Sequence, residues 1–90
     1  MRASKDFMMR EIAGEFILVP VGAAAVKFNG LITMNELGKF IFDLLAEERT
    51  VQELAEKIVG EYDVTLDTAR TDTEEFLQQL RDVGALVEEG

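Results

Sequence analysis

The chain has no cysteine and no histidine, one proline and one serine, Ser4. Without cysteine there is neither a disulfide framework nor a thiolate site. Without histidine the commonest acid–base side chain is missing, and with both absent the usual zinc ligand sets cannot be assembled. Ser4 lies in a stretch expected to fray, which suits neither a nucleophile nor the anchored arm of an acyl or peptidyl carrier. Long apolar runs are also missing. The opening MRASKDFMMRE has the pattern of neither a signal peptide nor a membrane span, so a cytoplasmic location without membrane contact is expected. No phosphate loop is present, since Gly22, Gly30 and Gly38 do not fit that spacing.

Positive charge is scarce. Nine Lys and Arg are scattered among eighteen Asp and Glu, for a net charge of −9. Nucleic-acid binding draws most of its affinity from phosphate neutralisation by a basic face, so no nucleic-acid partner is expected. The acidity serves solubility first, and a basic partner segment second. The pairs Glu47-Glu48, Glu74-Glu75 and Glu88-Glu89 form no catalytic couple, because helix neighbours diverge, and no loop alternates ligands as an EF-hand does. They read as solvated helix faces. The chain is therefore read as non-catalytic, with no cofactor and no metal.

What is present is a core. With 48% hydrophobic residues, residues 1–90 make one small domain with an ordered part from about 7 to 88. Such a domain buries a little over ~60% of its unfolded surface. Phe7 to Ala13 and Glu15 to Pro20 read as strands joined by a tight turn at Gly14-Glu15. Pro20 ends the second, since it cannot donate to a ladder. Asn29-Gly30 would ordinarily signal a hairpin. Read as a strand running through, however, Val26, Phe28, Ile32 and Met34 share one face, and Lys27, Asn29, Leu31 and Thr33 share the other. The through-strand gives the cleaner alternation and is preferred, with a bulge at Gly30.

Three helical segments follow. Asn35 is an N-cap ahead of Leu37, Ile41, Leu44 and Leu45, with Gly38 allowing close packing against the sheet. Thr50 to Glu53 is a capping box ahead of Val51, Leu54, Ala55, Ile58 and Val59. Asp67 is the expected cap of a third helix with the stripe Ala69, Thr73, Phe76, Leu77, Leu80 and Val83, and Thr71 to Glu74 is an alternative start. Gly84 sits where a helix-ending glycine belongs. The order is an α+β domain: a three-stranded antiparallel sheet followed by three helices.

The second strand, Phe16-Ile17-Leu18-Val19, is apolar on both faces, so its outer face calls for a cover from the N-terminal segment, a self-contact or another chain. The third strand offers a free edge to which an extended peptide can add as a further strand. The groove would run between Val26 to Thr33 and the last helix, with Phe76, Leu77, Leu80 and Arg81 as the opposite wall. For Phe76, Leu77 and Leu80 taken singly, core packing is the commoner role.

Several spaced residues together carry a resemblance. Met34-Asn35 opens a helix, followed by Gly38, Ile41, Phe42, Leu44 and Leu45; then come Thr50, Glu53 and Leu54, Tyr62-Asp63-Val64, and Phe76, Leu77, Leu80, Gly84 and Leu86. From Arg10 onward the pattern resembles the PqqD family. Met34 stands where that family has leucine and Phe42 where it has tryptophan. The resemblance implies a winged-helix-like fold and a peptide chaperone, a RiPP recognition element. Such a protein binds the leader of a ribosomally made precursor peptide and presents it to a radical SAM or other modifying enzyme. It further implies that the leader adds to the third strand beside the third helix, at Val26, Lys27, Phe28, Asn29, Leu31, Ile32, Thr33, Phe76, Leu77, Leu80 and Arg81. A monomer or weak homodimer is expected. The alternatives are a winged-helix DNA-binding regulator and a structural subunit docking on a larger enzyme.

Overall fold

In the computed structural model, which describes residues 1–22, 25 and 32–88, the first third of the chain pairs as a sheet. Strand β1 is Arg2–Ala3, β2 is Phe7–Ile12, β3 is Glu15–Pro20 and β4 is Ile32–Met34. β2 and β3 form a hairpin in the register Phe7↔Pro20 to Ile12↔Glu15. That register leaves Ala13 and Gly14 as the two loop residues, one position earlier than the expected Gly14-Glu15. Their φ values of 54° and 82° are both positive. This is the twist that a two-residue turn needs to match a right-handed hairpin. Gly14 adopts it freely, whereas Ala13 carries a Cβ into the left-handed region.

β4 pairs antiparallel with β3, Leu18 opposite Ile32 and Phe16 opposite Met34, and the sheet order is β2-β3-β4. Within the described part the alternation is as expected: Met34 is buried, Ile32 packs against the core, and Thr33 on the other face is exposed. The expected strand residues Val26, Lys27, Phe28, Asn29, Gly30 and Leu31 lie outside the described residues.

The stretch ahead of Phe7, expected to fray, is tied down. β1 pairs with a fifth strand, β5, Leu86–Val87, making a second sheet of two strands. The amides of Ala3 and Ser4 donate to the carbonyls of Leu45 and Ala85, and the Met1 ammonium donates to Glu48 and the Arg49 carbonyl. Local pattern could not announce a two-residue strand whose partner lies over eighty positions away.

Helix α1 is Glu36–Leu44, α2 is Val51–Glu61 and α3 is Leu66–Asp82. The Asn35 side chain caps α1 by accepting from the Gly38 amide at 2.8 Å. Thr50 and Glu53 complete their reciprocal capping box on α2. α3 starts earlier than either expected start. Its cap is Thr65, whose hydroxyl accepts from the Thr68 amide at 3.2 Å. That leaves Asp67 in the first turn, where its charge still complements the helix dipole. At the far end Gly84 has φ 76°, its amide donates to Arg81 O and the Ala85 amide to Leu80 O. These are the two bonds of a glycine-terminated helix, and they turn the chain back into β5.

The three helices close over the inner face of the larger sheet. Leu18 from β3, Ile41 from α1 and Leu45 at its C-terminal cap, Leu54 and Ile58 from α2, and Leu77 and Leu80 from α3 are each 0–1% exposed. Burying each such side chain contributes about 1.5–3 kcal/mol, so this set supplies most of the drive for a domain of this size. Thr73 is the buried polar residue of that core, and its hydroxyl donates to the Ala69 carbonyl one turn back at 2.7 Å. No helix among the described residues is long and apolar enough to cross a membrane.

Candidate functional site

Among the described residues a cleft of about 320 Å³ opens beside β4. One wall is Thr33, Met34, Asn35 and Leu37, where β4 passes into α1; the floor is Gly38 and Ile41; the other wall is Asp72, Glu75, Phe76 and Gln79 of α3. The sequence builds this locally. Asn35 must cap α1, so the chain changes from strand to helix within one residue, and the last strand residues stand directly above the first helical turn. Residues 72, 75, 76 and 79 recur at helical spacing and therefore form one face of α3.

Gly38 sets the width of the cleft. A Cβ there would lie 2.9 Å from Cε1 of the Phe76 ring, and 3.3 Å from both Asn35 Oδ1 and Met34 Cβ. The glycine thus lets α1 pack closely against β4 at Met34, the role expected of it, and at the same time admits the Phe76 ring of α3.

Of the expected site residues, the structure brings Thr33 and Phe76 together across the cleft. Ile32 packs against the core, and Leu77 and Leu80 are 0% and 1% exposed, beneath the cleft in the core. Arg81 points elsewhere and forms an ion pair with Glu88. Val26, Lys27, Phe28, Asn29 and Leu31 lie outside the described residues. The stripe read from the sequence was α3's buried face. The cleft face is rotated from it, with Phe76 at the border. Counting from Phe76 by −4, −1 and +3 would have found Asp72, Glu75 and Gln79, but their polarity marked them as solvent-facing.

The electrostatics of the cleft are one-sided. Both charged lining residues, Asp72 and Glu75, are acidic, and neither makes a hydrogen bond or ion pair among the described residues. Outside the cleft, the hydrogen bond and charge of Asp43 raise the Lys39 pKa above its ordinary value, and the ammonium lies 5.7 Å from the centre of the Phe16 ring. No group of three or more metal-ligating side chains occurs among the described residues.

The outer face of the larger sheet carries Met8, Ile12, Ile17 and Val19, with Met8 47% and Ile12 52% exposed. The N-terminal segment does not cover it, since β1 is engaged with β5.

No curated protein sequence matches the chain significantly. Two solved structures are similar over essentially their whole length. TbiB1 in complex with the TbiA(beta) leader peptide is 23% identical, with a TM-score of 0.77 covering 100% of this chain and 99% of that one. Lasso peptide synthetase B1 complexed with the leader peptide is 16% identical, with a TM-score of 0.74 covering 97% and 96%. At these identities the likeness establishes a shared fold. The sequence model of the family described as coenzyme PQQ synthesis protein D (PqqD) matches residues 14–86, from the hairpin turn through β4 and the three helices to β5. This chain belongs to the PqqD family.

Proposed function

We propose that this protein is a non-catalytic peptide chaperone that binds the leader of a ribosomally synthesised precursor peptide by strand addition and presents it to a modifying enzyme, such as a radical SAM protein. The observation that carries the reading is the cleft between β4 and α3. Among the described residues β4 is the last strand of its sheet, so one row of its backbone groups faces away from β3, and the cleft opens directly beside it. An extended peptide satisfies that row with backbone hydrogen bonds and places alternate side chains into the cleft. Two proteins of the same fold were solved with leader peptides bound, which supports the same class of ligand here.

The contact residues in this proposal are Ile32, Thr33 and Phe76, extended on α3 to Asp72, Glu75 and Gln79. Val26, Lys27, Phe28, Asn29 and Leu31 precede Ile32 in the chain and remain in it as the continuation of the edge. Leu77 and Leu80 support the wall from the core. The test is titration of the isotopically labelled protein with the leader of a precursor encoded beside it. Amide shifts should concentrate at residues 32–34 and 72–79. Shifts confined to the outer sheet face around Met8, Ile12 and Val19 would overturn the proposal.

A further inference from the structure

The hydrogen-bond alternation of the larger sheet singles out one residue on the open edge. In a hairpin with a two-residue loop, the pair that closes the loop exchanges both of its backbone bonds, and bonded pairs then alternate along the ladder. Here Ile12 and Glu15 close the loop. Glu15, Ile17 and Val19 therefore turn their N–H and C=O groups toward β2, while Phe16, Leu18 and Pro20 turn away from it, toward the side of β4. One step past the strand, the Val21 amide donates to the Asp6 carbonyl at 2.7 Å, which continues the series bonded to β2. Pro20, with no N–H to give, falls in the other series, where β2 loses no bond by it.

The same alternation carries across β3 to β4. Leu18 stands opposite Ile32 and Phe16 opposite Met34, so these pairs exchange bonds, and the backbone groups of Ile32 and Met34 are taken up by β3. Thr33, opposite Ile17, points its N–H and C=O away from β3, and neither makes another backbone bond among the described residues. Thr33 is exposed and lines the cleft. The surface that the cleft offers is mostly polar, which suits a ligand held through its backbone.

From this alternation we infer that Thr33 is the backbone anchor of the bound peptide, and that the position bonded to its carbonyl cannot be proline. An extended chain laid along β4 gives one N–H to the Thr33 carbonyl whichever way it runs. Antiparallel, the same peptide residue accepts from the Thr33 amide; parallel, the carbonyl two residues earlier does. In both cases the N–H groups of the residues immediately before and after the bonded one point away from the edge. A proline, which has no N–H, is therefore excluded at one position and accepted at either neighbour.

This inference rests on the strand-addition reading of the cleft, and the experiment separates the two. In the ligand-free protein, NMR should show the Thr33 amide exchanging with solvent about tenfold faster than those of Ile32 and Met34, as an unbonded edge amide does beside bonded ones. Saturation with the leader of the precursor encoded beside the protein should slow Thr33 exchange by about the same factor. Synthetic leaders carrying a single backbone N-methyl group, moved one residue at a time, complete the test. One position should lose about tenfold in affinity, the effect of a single backbone bond, while methylation of its two neighbours leaves affinity near that of the parent. A Thr33 amide already as protected as Ile32 and Met34 without ligand would overturn the anchor. So would equal losses at adjacent methylated positions, with strand addition left standing if the bound leader still shifts residues 32–34. A leader that tolerates methylation throughout, or that shifts only the outer sheet face, would overturn both.

Discussion

Two glycines in helices offer a direct test of what holds the cleft in shape. Gly38 lies in the first turn of α1 and Gly60 near the end of α2. Replacing either with alanine improves local helix propensity, by at most about 1 kcal/mol. At Gly60 nothing lies within 4 Å of the added Cβ. Gly60→Ala should therefore stabilise the protein by about 0.5–1 kcal/mol. At Gly38 the new carbon meets Cε1 of Phe76 at 2.9 Å and two further atoms at 3.3 Å. Ordinary carbon–carbon contact lies at about 3.5–4.0 Å, so the ring, itself only 9% exposed, has to move by a large fraction of an ångström. Overpacking of this kind costs about 1–3 kcal/mol, which outweighs the propensity gain and leaves Gly38→Ala about 1 kcal/mol less stable than the parent. The two substitutions should differ by about 2 kcal/mol, or roughly 10 °C in Tm for a domain of this size. Thermal and urea unfolding followed by circular dichroism would measure it. Because the displaced ring lines the cleft, Gly38→Ala should also weaken leader binding while Gly60→Ala leaves it unchanged. Equal Tm values for the two variants would refute the claim that Gly38 is kept small by α3.

Four other expectations each follow from a single residue. Ala13 occupies the first loop position of the hairpin with φ 54°, where asparagine is favoured, so Ala13→Asn should raise stability by about 0.5–1 kcal/mol in urea unfolding; a loss would contradict the turn geometry. Thr50→Ala removes the hydroxyl that accepts from the Glu53 amide and should cost about 1 kcal/mol. Glu53 in turn accepts from the Thr50 amide, a bond that chiefly holds its carboxyl below the ordinary glutamate pKa. The stabilisation from this charged form is therefore complete above the ordinary glutamate value and fades as pH falls through the lowered one. An NMR titration should show a depressed Glu53 midpoint, and in Glu53→Gln that part of the pH dependence should vanish. Thr73→Val keeps the buried shape but loses a hydrogen bond to a carbonyl of its own helix. The carbonyl keeps its backbone partner, so the variant should be destabilised by no more than about 1 kcal/mol, and a much larger loss in urea unfolding would point to a polar role for Thr73.

The elements whose signals are local were legible in the sequence. Asn35, the Thr50–Glu53 box and Gly84 each act within five residues, and each is found in its expected place. The hairpin and the start of α3 were displaced by one or two positions, because a turn or cap is chosen by register and packing among several competent residues. Ala13 accepts a left-handed conformation because the pairing of Phe7 with Pro20 leaves no other pair to turn on. Thr65 caps α3 two residues before Asp67, the expected cap, because either side chain can accept a helix amide and the packing of α3 selects between them.

The candidate site was legible only in part. Phe76 and Thr33 were expected, but pattern alone cannot separate the face of α3 that meets the core from the face that meets the cleft, since both recur every three or four residues. Apolar periodicity pointed to Leu77 and Leu80, which are core, and passed over Asp72, Glu75 and Gln79, which line the cleft. Composition and local pattern decided the class of this protein: an acidic α+β domain without histidine or cysteine, since those properties are set by which residues are present and how they alternate. The tertiary structure decided the rest. It joined the two ends of the chain in a second sheet, and it made Gly38 the seat of a ring thirty-eight residues away. It also brought the carboxylates of Asp72 and Glu75 to the cleft beside β4. Those arrangements depend on which distant surfaces meet, and no short-range preference of the chain encodes them.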